Sequence, residues 1–193
     1  MKPQGRRDYL HGVIRPPLAL AALLAAATAH AQPRPATPAP AAPAPAGAGP
    51  QRLGTHGAWT AATHAAADGK VCYAFARAAR SEGGGARGNV MLTVTHRPAG
   101  RDQVAVRVGH PFPRNAEVTV RIGDADLPFY TAGDTAFARG GAQTIAALRN
   151  GREAVARGPG PGGRGGTTDT FSLTGFAAAY DAISRECPPA GRR

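Results

Sequence analysis

Twice in this chain, branched apolar residues take every second position while polar or small residues take the others. Val104, Val106 and Val108 alternate within Gln103–Gly109, and Val118, Val120 and Ile122 alternate within Glu117–Ile122. Strand side chains point in turn to the two faces of a sheet, so a period of two predicts strands buried on one face only. One-sided burial belongs to antiparallel sheets, because parallel sheets are covered on both faces. Other runs follow the same rule: Gly57–Thr63 with the single Trp59, Val71–Ala78, Asn89–Arg97, Leu127–Thr131, Glu153–Arg157 and Thr170–Leu173. Pro98 ends one of them, and Pro128, which lacks an amide donor, confines another to an edge or to a strand's first residues. Ser81–Gly88, with three consecutive glycines, reads as a flexible loop.

Two segments carry helical spacing instead. Gly141–Arg149 places Ile145 and Leu148 on one face and stops at Asn150-Gly151. Phe176–Glu186 places Phe176, Tyr180, Ile183 and Cys187 on one stripe, with Thr174 as its expected N-cap. The predicted fold is mainly β: a single antiparallel β-sandwich or barrel-like domain with one short internal helix and a C-terminal helix packed on the sheet.

The first fifty residues read as something other than this fold. Lys2, Arg6, Arg7 and Arg15 precede an apolar run, Leu18–Ala29, and an A-x-A site, Ala29-His30-Ala31, so residues 1–31 read as a signal peptide cleaved between Ala31 and Gln32. About a dozen apolar residues are too few for a spanning helix, which takes roughly 20. Gly5-Arg6-Arg7-Asp8-Tyr9-Leu10-His11 resembles a twin-arginine signal, with ordinary Sec export as the default. Residues 32–52 are a Pro/Ala-rich linker, semi-rigid and extended because proline fixes φ and removes the donor that helices and sheets need. The domain is expected over 53–187, followed by a basic tail, 188–193. The protein is therefore expected in the periplasm, secreted, or at the cell surface, with no membrane span after cleavage.

The formal charge is +11, from 23 basic and 12 acidic residues. The signal segment holds four basic residues and one acidic residue, so its removal leaves +8. The arginines are scattered, without the basic block or aromatic interleaving that nucleic-acid binding uses, and nucleic acid is excluded as the expected partner. Anionic envelope polymers such as lipopolysaccharide or peptidoglycan stay open as an alternative partner.

Cys72 and Cys187 are the only cysteines. Export places them in an oxidising compartment, where an intramolecular disulfide is expected, against the alternatives of two free thiols or an intermolecular pair. The two stand 115 residues apart, and closing so long a loop stabilises by roughly 4–5 kcal/mol on the chain-entropy account. Asp134 and Thr135, with Thr168 and Asp169, gather as a candidate polar patch for recognition, or as ordinary turn caps. No catalytic constellation, metal site or cofactor site is expected. Gly158–Gly166 lacks the Lys and hydroxyl of a phosphate-binding loop. His96 and His110, both at predicted strand ends, would need help from a carboxylate such as Asp102 to hold a metal. Ser172, His96 and Asp169 form a triad only on paper, without a nucleophile elbow.

The ordered strings Lys70-Val71-Cys72-Tyr73, Thr93-Val94-Thr95-His96-Arg97-Pro98 and Val104–Gly109 followed by His110-Pro111-Phe112 resemble the invasion-associated locus B family. Glu117–Val120, Phe129-Tyr130-Thr131, Gly133–Phe137, Gly166–Phe176 and Tyr180–Cys187 continue the likeness, which spans roughly 57–187. Two departures stand out. The family's Gly-Asp-Trp start is Gly57-Ala58-Trp59 here, and Arg157–Gly166 is longer and richer in Gly and Pro. The resemblance implies a small exported envelope protein, associated with host-cell invasion in some members, and brings no catalytic residues with it. The expected function is non-enzymatic binding of an unidentified envelope or host protein.

Overall fold

The computed structural model describes residues 49–189. The signal segment with its Ala31/Gln32 junction, nearly all of the linker and the last four residues lie outside the described residues. The elements run in the order β1 (Gln51–His56), β2 (Trp59–Ala66), β3 (Gly69–Arg77), β4 (Arg80–Glu82), β5 (Met91–Arg97), β6 (Gly100–Arg107), β7 (Glu117–Ile122), β8 (Ala125–Ala132), β9 (Thr135–Ala138), α1 (Gly141–Asn150), β10 (Glu153–Pro159), β11 (Gly166–Ser172) and α2 (Phe176–Glu186). The strands form one antiparallel sheet, ordered β1-β2-β3-β5-β6-β9-β8-β7-β10-β11-β4. The mainly β class with two helices is as expected.

The sheet is rolled rather than flat. β3 and β4 are consecutive in the chain yet take the third and the last places in the sheet. Between them Ala78 donates to the Val90 carbonyl at 3.0 Å and Ala79 to the Thr170 carbonyl at 2.8 Å. A two-residue connection can span those places only if the far edge curls round to lie beside β3. Trp59 closes the same seam, its Nε1–H donating to the Ser172 carbonyl at 3.0 Å.

The alternating valines point into the roll. Val104, Val106, Val118, Val120 and Ile122 are buried with Leu92, Val94, Phe129 and Phe171, as the period of two requires. α2 covers the inner face of β1, β2 and β3, with Phe176 edge-on to Trp59 at 4.8 Å between ring centroids. Cys72 and Cys187 are joined as a disulfide, with Cα atoms 6.0 Å apart, and this fastens the end of α2 to β3.

Several local features differ from the sequence reading. β1 begins at Gln51, within the segment read as linker; it contains one large apolar residue, Leu53, and that residue is exposed. β4 and β9 are short, and β4 is wholly exposed, so neither carries a hydrophobic period. Pro128 sits in an interior strand, paired with Thr119 of β7. Its carbonyl accepts Arg139 N–H at 3.1 Å, so its missing amide faces the point where β9 has already ended, and little pairing is lost. The N-cap of α2 is Gly175 at φ 88°, not Thr174. A Cβ there would strike the His56 backbone, and one on Gly57, at φ 56°, would strike the Thr174 carbonyl. The β1–β2 turn and the start of α2 meet backbone to backbone, which only glycine permits at both positions.

Candidate functional site

The outer face of the sheet carries a row of residues set by register. Thr60, Phe75, Thr93, Ala105, Phe137, Tyr130 and Glu117 stand directly opposite one another across β2, β3, β5, β6, β9, β8 and β7. Tyr73 stacks on Phe75 at 6.1 Å, and Tyr130 on Phe137 at 5.6 Å. Small side chains, Thr93 and Ala105, separate the two stacks by three strand spacings, about 14 Å. The result is a shallow trough walled by aromatic rings. Tyr130 is 44 % exposed, with the Arg139 guanidinium 5.7 Å from its ring centre, and a cavity of about 200 Å³ opens beside it, lined by Gln103, Phe137 and Ala138. The other half of the outer face, on β7, β8 and β10, presents charges instead: Arg121, Asp126, Glu153 and Arg157.

The four residues of the expected polar patch split into two settings. Asp134 accepts from Arg107 Nε at 2.7 Å and from Thr135 Oγ1 at 2.9 Å. The Arg107 bond, aided by Thr135, holds its carboxyl below the usual range. Asp169 lies inside, its side chain 1 % exposed, where Arg87 grips both oxygens at 2.7 and 2.8 Å. Thr168 points to the opposite face and pairs with Glu82. Asp169 is therefore a structural anchor rather than a recognition group. Arg87 also donates to the carbonyls of Glu82, Gly83 and Val108, which commits all five guanidinium donors. The glycine-rich loop, expected to be flexible, is pinned to β11 by this one side chain.

The paper triad is not assembled: Asp169 is committed to Arg87, and Ser172 Oγ accepts the Thr174 amide at 3.3 Å. A different set forms around His96, which is buried. Its Nε2 lies 3.1 Å from Ser184 Oγ, while its Nδ1 accepts the Asp102 amide at 3.3 Å. Asp102 adopts φ 56°, a left-handed geometry that Asp tolerates, and its Oδ1 accepts the Tyr180 hydroxyl at 2.6 Å. Burial, reinforced by the Arg101 charge and opposed by Asp102, pushes the His96 pKa down, so the ring is neutral near pH 7. Burial and the bond to Asp102 push the Tyr180 hydroxyl up.

Because Nδ1 accepts a backbone N–H, the neutral ring carries its proton on Nε2 and donates to Ser184. A general base for Ser184 would need that nitrogen free. Ser184 also takes Arg101 Nη2 at 3.4 Å and sits in the last turn of α2, at the helix end that disfavours a developing anion. The cluster is arranged to bind a helix to a strand, not to activate an oxygen. His110 is turned elsewhere, its Nε2–H donating to the Pro159 carbonyl at 3.2 Å, so the structure does not bring it to His96. Among the described residues no three His, Cys, Asp or Glu side chains gather as metal ligands.

Sequence reasoning missed the trough, Arg87 and the Tyr180–Asp102 bond. The trough had a legible signal: in Leu127–Thr131 the buried phase is Leu127 and Phe129, so Tyr130 is an aromatic residue on the solvent phase.

No helix among the described residues is long and apolar enough to cross a membrane. A family model for the Invasion associated locus B (IalB) protein matches residues 59–184. A crystal structure of invasion associated protein B from Bartonella henselae is similar at 16 % identity, with a TM-score of 0.45, over 69 % of this chain and 96 % of that one. Sequence comparison with curated proteins gives no match. The chain belongs to the invasion associated locus B family.

Proposed function

We propose that this protein is an exported, non-enzymatic binding module of the bacterial envelope that uses the aromatic trough of its outer sheet face to hold another envelope protein. The observation that carries this reading is the stack of the exposed Tyr130 on the partly buried Phe137, facing the partly buried stack of Tyr73 on Phe75 across Thr93 and Ala105. Solvent-phase strand positions are ordinarily polar, and partly exposed aromatic pairs supply the rigid, low-entropy contact area typical of binding hot spots. A trough of this width suits an amphipathic helix, whose diameter is about 10–12 Å. The signal-like residues 1–31 support an envelope location, and the name of the matching family extends the reading to proteins that take part in invasion.

The test is a photocrosslinking residue at Tyr130 in cells, compared with one at Arg157 on the charged half of the same face. A discrete adduct from position 130, absent from 157 and abolished by Phe75→Asp, is the expected result. Adducts that are the same from both positions, or that survive Phe75→Asp, would remove the trough as the binding surface.

A further inference from the structure

A second surface lies at the opposite pole of the chemistry. The β5–β6 hairpin, the start of β3 and the end of α2 enclose a cleft of about 500 Å³ whose walls include Lys70, Arg97, Arg101, Glu186 and Cys187. Lys70 pairs with Glu186 at 2.6 Å, so these two charges cancel. Arg97 and Arg101 have no carboxylate within ion-pair distance among the described residues, and the cleft keeps a charge of +2. Arg101 is fixed in place: Nη1 donates to the Cys187 carbonyl and Nη2 to Ser184 Oγ. These two bonds leave three of its five N–H groups without a partner. A held guanidinium meets an anion with little further loss of side-chain entropy. Arg97 stands opposite Gly100 across the same hairpin and is exposed.

We infer that this cleft is a binding site for a phosphate monoester group, with Arg101 as the fixed contact and Arg97 as the second. The dianion of a phosphate monoester matches the +2 of the cleft, and guanidinium forks suit its oxygens better than isolated ammonium groups do. The site is separate from the aromatic trough and stands or falls apart from it. It also depends on the disulfide, because Cys187, whose carbonyl holds Arg101, is tied to Cys72 at the cleft wall.

The experiment titrates inorganic phosphate into the oxidised mature protein, following backbone amide shifts by NMR at low and high salt. Saturable shifts at the amides of Arg97, Ala99, Gly100, Arg101, Glu186 and Cys187 are expected, weakened at high salt. Arg97→Gln is expected to lower affinity by about tenfold, the loss of one charge-assisted hydrogen bond. Arg121→Gln removes the same net charge elsewhere and is expected to leave affinity unchanged. Because Arg101→Gln risks loosening the end of α2, Arg97→Gln is the deciding variant. No saturable shift, or an equal loss in Arg97→Gln and Arg121→Gln, would overturn the site. Vesicles containing phosphatidic acid then identify the source: retention that Arg97→Gln abolishes places the phosphate on a lipid headgroup, and phosphate binding without retention places it in a soluble or polymeric ligand.

Discussion

Two arginine–aspartate forks in this domain are both two-bonded, end-on through Nη1 and Nη2 at Arg87 and side-on through Nε and Nη2 at Arg121, and they differ most in their surroundings. Arg87 and Asp169 meet through two bonds of 2.7 and 2.8 Å with side chains 2 % and 1 % exposed. Arg121 and Asp126 meet through two bonds of 2.6 and 2.7 Å across the β7–β8 hairpin with side chains 53 % and 49 % exposed. Distance alone would rank the two as equal. The difference is what each charge would face without its partner: water at the hairpin, and the inside of the roll at β11. The first fork holds a loop of the domain in place, and the second decorates a strand pair that its backbone already holds.

The largest effect is expected from breaking the buried fork on one side. Arg87→Ala leaves the Asp169 carboxyl buried without its cation, which costs about 3–5 kcal/mol. Chemical denaturation should show this as a lower midpoint with an unchanged slope, accompanied by protease cleavage in 83–88. Replacing both partners, Arg87→Met with Asp169→Leu, removes the stranded carboxyl and should recover most of that loss. A double variant as unstable as the single one would mean that the arginine acts through its three carbonyl bonds rather than through Asp169.

The His96 network lies between the two extremes, because His96 is buried while Asp102 is partly exposed. Tyr180→Phe removes the hydroxyl bonded to the Asp102 carboxylate and should cost about 1–2 kcal/mol by thermal or chemical unfolding. The same cluster gives the fold a pH dependence. His96 takes up a proton less readily when folded than its ordinary pKa of about 6.5 allows. Unfolding therefore binds a proton as pH falls below that value, and stability declines with acid until the lowered folded pKa is reached. The contribution is complete above about pH 7. Comparing denaturation midpoints at pH 7.5 and 5.5 should show the decline in the native protein and a smaller one in His96→Gln. An equal decline in both would assign the pH dependence to other groups.

How much of this was legible in the sequence follows from what each contact needs. The strands with one buried phase, β5, β6, β7 and β8, were visible because burial writes itself as alternation. β1, β4 and β9 were not, since backbone pairing with a neighbour leaves no mark on side-chain type. The burial of Asp169 was half legible. It shares the phase of Thr167 and Phe171 in β11, so an inward carboxylate demanding a cation could have been inferred. Its partner could not, because Arg87 lies 82 residues away in a loop with no periodicity. The same limit applies to Tyr180 and Asp102, joined across 78 residues by a left-handed backbone geometry that no spacing announces. The disulfide was inferred because only one pairing existed.

The smallest effect is expected at the exposed fork. Arg121 holds the Asp126 carboxyl below its usual range through its two bonds, so the pair is fully ionised near neutral pH. That interaction competes with good hydration of both charges, and ordering two mobile side chains offsets part of the attraction. Arg121→Ala should leave the denaturation midpoint where it was, and any residual shift should vanish as salt is raised past the Debye screening range. Arg121 and Asp126 are already opposed by strand register, with Val120↔Leu127 and Ile122↔Ala125 pairing on either side. The hairpin thus has its alignment from the buried phase of the strands, and the fork adds none. A marked loss on Arg121→Ala would mean that the outer charged half helps to hold the sheet, and the contrast with Arg87 would then rest on the carbonyl bonds of the buried arginine instead of on burial.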